Sequence, residues 1–329
     1  MNQPPSLLSV RDLRVEFDTP AGTLQAVRDV SFELARGETL GIVGESGSGK
    51  SVTALALLGL IPQPPGRVSG AGITFEGENL LTTSAMQMRK IRGNRIAMIF
   101  QEPMTSLNPV FTIGYQIAEP LQLHLKMGKR ESYAYAAHML DKVGIPLASR
   151  RVNEYPHQLS GGMRQRVMIA MALACKPQIL IADEPTTALD VTIQAQIIEL
   201  MQSLQHDLGT AIVLISHDMG LVAETCGRVA VMYAGRIVEQ ATVKDLFDAP
   251  RHPYTIGLLN SIPQLRLTRD APRVARLAAI PGVVPNAAAL PKGCAFAPRC
   301  TRALDRCAAE EPPLTVADGH AVRCWLHAA

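Results

Sequence analysis

Leu7 to Phe17 alternates, with Leu8, Val10, Val15 and Phe17 among its apolar positions, and Val27 to Leu34 is a second β-like run. That patterning predicts two strands forming an antiparallel flank to a sheet. Thr39-Leu40-Gly41-Ile42-Val43 reads differently. It is continuously apolar, as a strand buried on both faces must be. Ser51 to Leu60, with Leu55, Leu57, Leu58 and Leu60, predicts a helix that stops before Pro62. Three more continuous apolar runs predict buried strands: Arg95 to Phe100, Gln178 to Ala182, and Thr210 to Ser216. Between the first two, Ile113 to about Ala174 lacks strand signals and predicts helices, with breaks near Gly128 and Pro146. Val229 to Met232 and Arg236 to Glu239, joined through Ala234-Gly235, predict a hairpin. The fold class that follows is an α/β core with an antiparallel β flank and a helical insertion at about 113–174. After Pro263 the composition shifts toward Arg, Ala and Pro, which sets a boundary near 265. Residues 1–265 then form the core domain and 266–329 a C-terminal extension.

The 329 residues are 47% hydrophobic and 19% charged, which supports a sizeable core and excludes wholesale disorder. Aromatics are only 4%, too few for a stacking surface for single-stranded nucleic acid. A net charge of +3 does not demand a polyanionic partner, and no nucleic acid is expected. The charge is uneven: residues 266–329 hold nine Lys/Arg against five Asp/Glu. Met1-Asn2-Gln3-Pro4-Pro5 has neither the basic nor the apolar region of a signal peptide. The longest apolar run, Val167 to Cys175, has nine residues, far short of a membrane span. A soluble, cytosolic chain is expected, with any membrane role that of a peripheral subunit.

The chemistry centres on Gly44-Glu45-Ser46-Gly47-Ser48-Gly49-Lys50-Ser51. It fits G-x-x-x-x-G-K-[ST], a loop that cradles phosphates with backbone N–H groups. The apolar strand before it and the helix after it are the context that motif needs. The helix N-terminus adds partial positive charge. In that setting Lys50 reaches the β- and γ-phosphates and the Ser51 hydroxyl ligates Mg²⁺. The alternative is a chance glycine-rich turn, which the flanks disfavour. Gln101, Asp183-Glu184 and His217 follow directly on three buried strands. In an open α/β sheet that is the edge where ligands bind. Taken singly, each could be a solvated strand end or a structural histidine. Adjacent carboxylates raise each other's pKa unless a cation is present, which suits one metal-facing and one water-facing role. Leu159-Ser160-Gly161-Gly162-Met163 opens a further helix and forms a second anion cradle.

In order and spacing, the phosphate loop, Gln101, the LSGGM run, Ile179 to Glu184, Ala188-Leu189-Asp190 and His217 resemble an ABC-transporter ATPase over about residues 7–265. The resemblance implies the P-loop NTPase fold and head-to-tail pairing. Ser160, Gly161 and Gly162 of one subunit then close on the γ-phosphate held by the other, with Asp190 reaching across. It implies ATP and Mg²⁺ as cofactors, with Asp183 holding Mg²⁺ through its water shell. Glu184 becomes the general base, and His217 touches the γ-phosphate and orients the water. Gln101 senses both and, with Glu102 to Pro109, reports to the membrane partner. Thr186 and Thr187 are turn formers. Two positions depart from the pattern: Met163 stands where Gln is common, and Phe17 is the nearest candidate to stack on adenine, although Asp18 to Gly22 reads as an insertion. Phe100 to Pro109, Tyr155-Pro156-His157-Gln158, Glu184 to Val191 and His252-Pro253-Tyr254-Thr255 resemble the oligopeptide and dipeptide importers, in their D-type subunit. That resemblance implies a related F-type ATPase as heterodimer partner, two permeases and an extracytoplasmic binding protein. It places the chain on the cytoplasmic face of the inner membrane. Nickel or glutathione import shares these motifs. A soluble ABC ATPase acting on ribosomes or DNA is the reading from another class.

Cys294, Cys300, Cys307 and Cys324 fall in the last 36 residues, spaced C-x5-C-x6-C-x16-C. Cytosolic chains do not rely on structural disulfides, so clustered thiols suggest a metal. The spacing lacks the C-x2-C of a zinc ribbon. All-thiolate ligation with wide loops suits a [4Fe-4S] cluster, with zinc or free thiols as alternatives. Arg299, Arg302 and Arg306 are placed to offset an anionic cluster, and such a cluster would staple a tail with no core of its own. Cys175 and Cys226 lie in apolar helical contexts and read as buried small hydrophobes.

Overall fold

The computed structural model describes residues 6–20, 22–101, 106–186, 191–262 and 280–328, with the side chains of 191–193 and 204 excepted. The chain divides into two compact units. One comprises Met1–Leu8, Glu33–Thr39 and Thr74–Ile215; the other comprises Ser9–Phe32, Leu40–Ile73 and Ser216–Ala329.

In the first unit the strands Ile96–Ile99, Ile179–Asp183 and Ala211–Ser216 pair in parallel, with Ile96 opposite Ile179 and Ile179 opposite Ala211. Every residue of the second and third strands is buried. This explains the unbroken apolar runs, because a parallel sheet has no solvent face. The expected insertion is helical as read: Ile113–Leu125, Lys129–Lys142, Ala148–Arg151 and Gly161–Leu173. Its first break falls at Gly128, which caps the second of these helices. Gly114 lets the first helix press on the chain at Val152. A Cβ there would lie 2.5 Å from the Val152 carbonyl oxygen, and the Gly114 N–H donates to that oxygen at 2.8 Å.

In the second unit the flank strands are Leu8–Thr19 and Gly22–Leu34, nearly all of each lying here. The first strand runs on to Thr19 and the second begins at Gly22, within the stretch read as an insertion, and the Thr19 hydroxyl donates to the Gly22 carbonyl. The helix predicted as Ser51 to Leu60 runs Lys50–Leu57 instead. Gly59 takes a left-handed conformation (φ +58°), and the N–H groups of Gly59 and Leu60 turn back to Ala56 and Leu55. That glycine closure ends the helix before Pro62 can. The hairpin is present as Arg228–Tyr233 and Arg236–Thr242, turning at Ala234 and Gly235, both with positive φ. Arg228–Tyr233 also pairs in parallel with Leu40–Val43.

The C-terminal residues from 280 onward belong to this second unit. Strand His320–Val322 adds antiparallel to Arg236–Thr242, and Thr315–Ala317 pairs with it in turn. A buried carboxylate fastens them. Glu239 is 0% exposed and accepts from the Arg251 N–H at 2.6 Å and the His252 N–H at 2.9 Å. His320 Nε2 lies 2.6 Å from the same carboxylate. The tail is therefore held by strand pairing and a buried polar knot, so it does not depend on a metal staple alone. Removing one member of such a knot leaves the others desolvated and unpaired. Glu239→Ala should destabilise the fold by about 3 kcal/mol or more, measured as a fall in the urea midpoint against wild type.

Candidate nucleotide site

Gly44 to Ser51 links the buried strand Thr39–Val43 to the helix Lys50–Leu57. Two of its glycines are required by close backbone approach. Gly44 has φ +151°, and a Cβ there would sit 2.2 Å from the Met232 carbonyl oxygen. Gly49 has φ +98°, and a Cβ there would sit 2.5 Å from the Ala26 carbonyl oxygen. The hairpin turn props the loop: the Gly235 N–H donates to the Ser48 carbonyl at 3.0 Å, and the Arg28 N–H to the Gly235 carbonyl at 2.8 Å. Lys50 is 6% exposed, and its ammonium donates to the carbonyls of Gly44 (2.7 Å) and Glu45 (3.0 Å). A lysine held inside a glycine-shaped concavity at a helix N-terminus is a donor set that fits polyphosphate, and Ser51 is the first hydroxyl beyond it. Phe17 is half-buried on its strand, opposite Gly66.

In the first unit Gln101 and Glu184 meet. Gln101 Nε2 donates to Glu184 Oε2 at 3.2 Å. Both follow neighbouring parallel strands, so one sheet edge brings them together. Asp183 ends its strand 3% exposed. Glu184 takes φ +48°, unusual for a side-chain-bearing residue, and its N–H donates to the Ile215 carbonyl at 2.9 Å. That turn points the two carboxylates of a consecutive pair into different surroundings, one buried and one half-exposed. Ser160 caps the helix Gly161–Leu173, its hydroxyl accepting from the Met163 N–H at 3.3 Å, while Ser160 and Gly161 stay exposed. His217 is exposed and lies between the strand Ala211–Ser216 and the helix capped by Asp218. Asp190, Thr187 and residues 102–105 lie outside the described residues.

Pattern reading missed three residues around the phosphate loop. The Tyr254 hydroxyl accepts from the Glu45 N–H at 2.8 Å. Arg299 forms a two-pronged ion pair with Glu45, from its two terminal nitrogens at 2.7 and 3.0 Å. It also donates to the Tyr233 hydroxyl at 3.3 Å. Tyr254 sits in the His252-Pro253-Tyr254-Thr255 stretch, but nothing local in the sequence links it or Arg299 to residue 45. Arg299 is therefore not one of the arginines facing the thiols. Arg306 is not one either, since it pairs with Glu310 and covers the Trp325 ring. Arg302 alone of the three lines the cysteine cavity.

That cavity is lined by Cys294, Cys300, Cys307 and Cys324 together, so the four are brought to one place. Burial pushes the Cys294 thiol up to about 11 and raises Cys300 and Cys324 as well. Number and type of donor fit a thiolate-bound group. Among the described residues, however, no three His, Cys, Asp or Glu side chains stand close enough to share one metal ion. Cys175 and Cys226 are buried, and burial raises both to about 11, as inert core thiols should be.

The ABC transporter family model matches residues 27–187, and a model described as the oligopeptide/dipeptide transporter C-terminal region matches 238–307. A probable peptide ABC transporter ATP-binding protein of Sinorhizobium fredii is 55% identical over 97% of this chain and 94% of its own length. The oligopeptide transport ATP-binding protein OppD of Bacillus subtilis is 54% identical over 97% and 88%. Among solved structures, the dimeric ATP-binding cassette MJ0796 in a post-hydrolysis state with ADP and Pi gives a TM-score of 0.66 at 26% identity. That match covers 72% of this chain and 98% of the cassette. With over half of its residues shared across nearly its whole length with ATP-binding proteins of this kind, the chain belongs to the ABC transporter family.

Proposed function

We propose that this chain is the ATP-hydrolysing subunit that drives a membrane permease importing di- and oligopeptides. The observation that carries the peptide assignment is the second family match over residues 238–307, joined to a complete phosphate loop. The chain is an ATPase of the ABC type. As the ATPase of such an importer it meets its permease as a peripheral subunit; among the described residues no helix is long and apolar enough to cross a membrane. The division near residue 265 into cassette and extension belongs to the same reading.

Roles follow from chemistry at each position. The Gly44–Ser51 backbone and Lys50 bind the phosphates, and Phe17 is the candidate platform for adenine. Ser51 and Asp183 would hold Mg²⁺, which when bound neutralises charge on the transferring phosphate. Glu184 polarises the attacking water, His217 orients it, and Gln101 holds Glu184 until nucleotide arrives. Ser160, Gly161, Gly162 and Asp190 serve the nucleotide of a second cassette, with an F-type subunit, two permeases and an extracytoplasmic binding protein completing the machine on the cytoplasmic face of the inner membrane. For the tail, the shared cavity of Cys294, Cys300, Cys307 and Cys324 supports a [4Fe-4S] cluster. A cluster spreads its ligands over four irons, whereas one zinc ion needs all four thiolates within bonding distance of a single centre.

Three measurements check this. Tagged chain from gently solubilised native membranes should bring down two polytopic permeases and a second ATPase. Ribosomal or DNA-bound partners without a permease would overturn import, and a binding protein selective for nickel or glutathione would overturn the peptide cargo. Glu184→Gln should bind ATP yet hydrolyse it at least about 100-fold more slowly; wild-type turnover removes Glu184 from its role. Chain purified without oxygen should carry about four irons and four sulfides per molecule with visible absorption, and stoichiometric zinc or no metal rejects the cluster.

A further inference from the structure

We infer that the C-terminal region is a positioning device for the phosphate loop, acting through Arg299 on Glu45. The inference rests on the ATP-binding reading of that loop and adds to it a determinant 254 residues away in the chain.

The contact is built on both sides. Arg299 is only 7% exposed although it carries a full charge. Its Nε donates to the Pro281 carbonyl at 2.8 Å, its two terminal nitrogens take both oxygens of Glu45, and one of them also reaches the Tyr233 hydroxyl. A planar guanidinium held at three corners has little freedom left, so the position of the Glu45 carboxylate is dictated by the tail. Phe296 of the tail packs edge-on against Tyr233 at 5.2 Å and tilted against Tyr254 at 5.4 Å, and those two rings lie 4.6 Å apart. Tyr254 in turn accepts the Glu45 N–H. Lys50, whose ammonium must meet the phosphates, holds the Glu45 carbonyl.

Each polar group of Glu45 is thus occupied. The tail holds the carboxylate, the aromatic cluster holds the N–H, and the phosphate-binding lysine holds the carbonyl. Glu45 is the first residue after Gly44, at φ +151°, where the loop leaves the sheet. A phosphate cradle binds well only if its N–H groups already point inward, because ordering them at the moment of binding costs affinity. An ion pair that serves only to fasten the tail would change melting temperature and leave nucleotide affinity alone. A positioning pair changes affinity.

The full chain is tested with magnesium and a fluorescent ATP analogue. Arg299→Gln should weaken binding about tenfold, and Arg299→Lys, which keeps the charge but loses the fork, about threefold. Glu45→Gln should resemble Arg299→Gln, and the double variant should bind no more weakly than Arg299→Gln alone, because the two act as one unit. Arg306→Gln, in the same tail but away from the loop, should bind as wild type does. Wild-type affinity in Arg299→Gln, even with a lowered melting temperature, overturns the inference, as does a double variant whose loss is the product of the two singles. Should Arg299→Gln not fold, the lysine variant decides: undiminished affinity there overturns it. Failure of the wild-type chain to bind the analogue would instead sink the ATP reading itself.

Discussion

A phosphate cradle imposes an awkward demand: several backbone N–H groups must face an empty concavity, so the loop cannot stabilise itself by bonding them internally. It has to be shaped from outside. Here the shaping is done by backbone that passes too close for any side chain. The Met232 carbonyl lies behind Gly44 and the Ala26 carbonyl behind Gly49. Those two carbonyls come from a hairpin and a flank strand, so the antiparallel elements of this unit act as the mould of the loop. The hairpin turn at Ala234 and Gly235 has its own left-handed residues to bring it into place.

Charge is managed by the same economy. Glu239 is fully buried and survives because three donors converge on it, two of them backbone N–H groups at the start of the helix Pro253–Asn260. Arg299 is buried and survives because Glu45 and two further acceptors satisfy it, and that pairing holds its guanidinium firmly charged. Buried pairs of this sort contribute little net stability but fix one arrangement over its alternatives. Both knots lie where the C-terminal residues meet the hairpin and the phosphate loop. His252, wholly enclosed beside them, is pushed down to about 3 by burial and stays neutral, its Nδ1 free to accept the Tyr254 N–H.

In the first unit the device is conformational. Glu184 sits at φ +48°, a geometry that costs a residue with a Cβ on the order of 1 kcal/mol. The bond from its N–H to Ile215 and the Gln101 amide on its carboxylate keep it there. The result separates Asp183, buried at the end of its strand, from Glu184, half-exposed and held by a neutral amide. Two adjacent carboxylates can then serve different partners.

The chemistry-bearing segments were legible in the chain because each depends on local rules. An apolar run without polar interruption can only be a strand covered on both faces, and Gly44 to Ser51 needs its glycines wherever it occurs. The hairpin and the insertion follow from turn residues and from period. Boundaries were less legible: the helix after the loop stops at Leu57 because Gly59 turns left-handed, a choice that Pro62 only seconds. Asp18 to Gly22 reads as an insertion, and that the strands on either side run to Thr19 and from Gly22 is a matter of pairing, which no window of sequence records. Least legible of all were Arg299 and Tyr254. One is an arginine in an arginine-rich tail and the other a tyrosine in a short helix, and their significance lies wholly in what stands opposite them. The sequence by itself determined the cradle, the strand before it and Lys50 and Ser51 at its end, because those obey backbone geometry. Only the tertiary structure decided which distant charge holds the cradle open, because an ion pair depends on distance in space and not on distance along the chain.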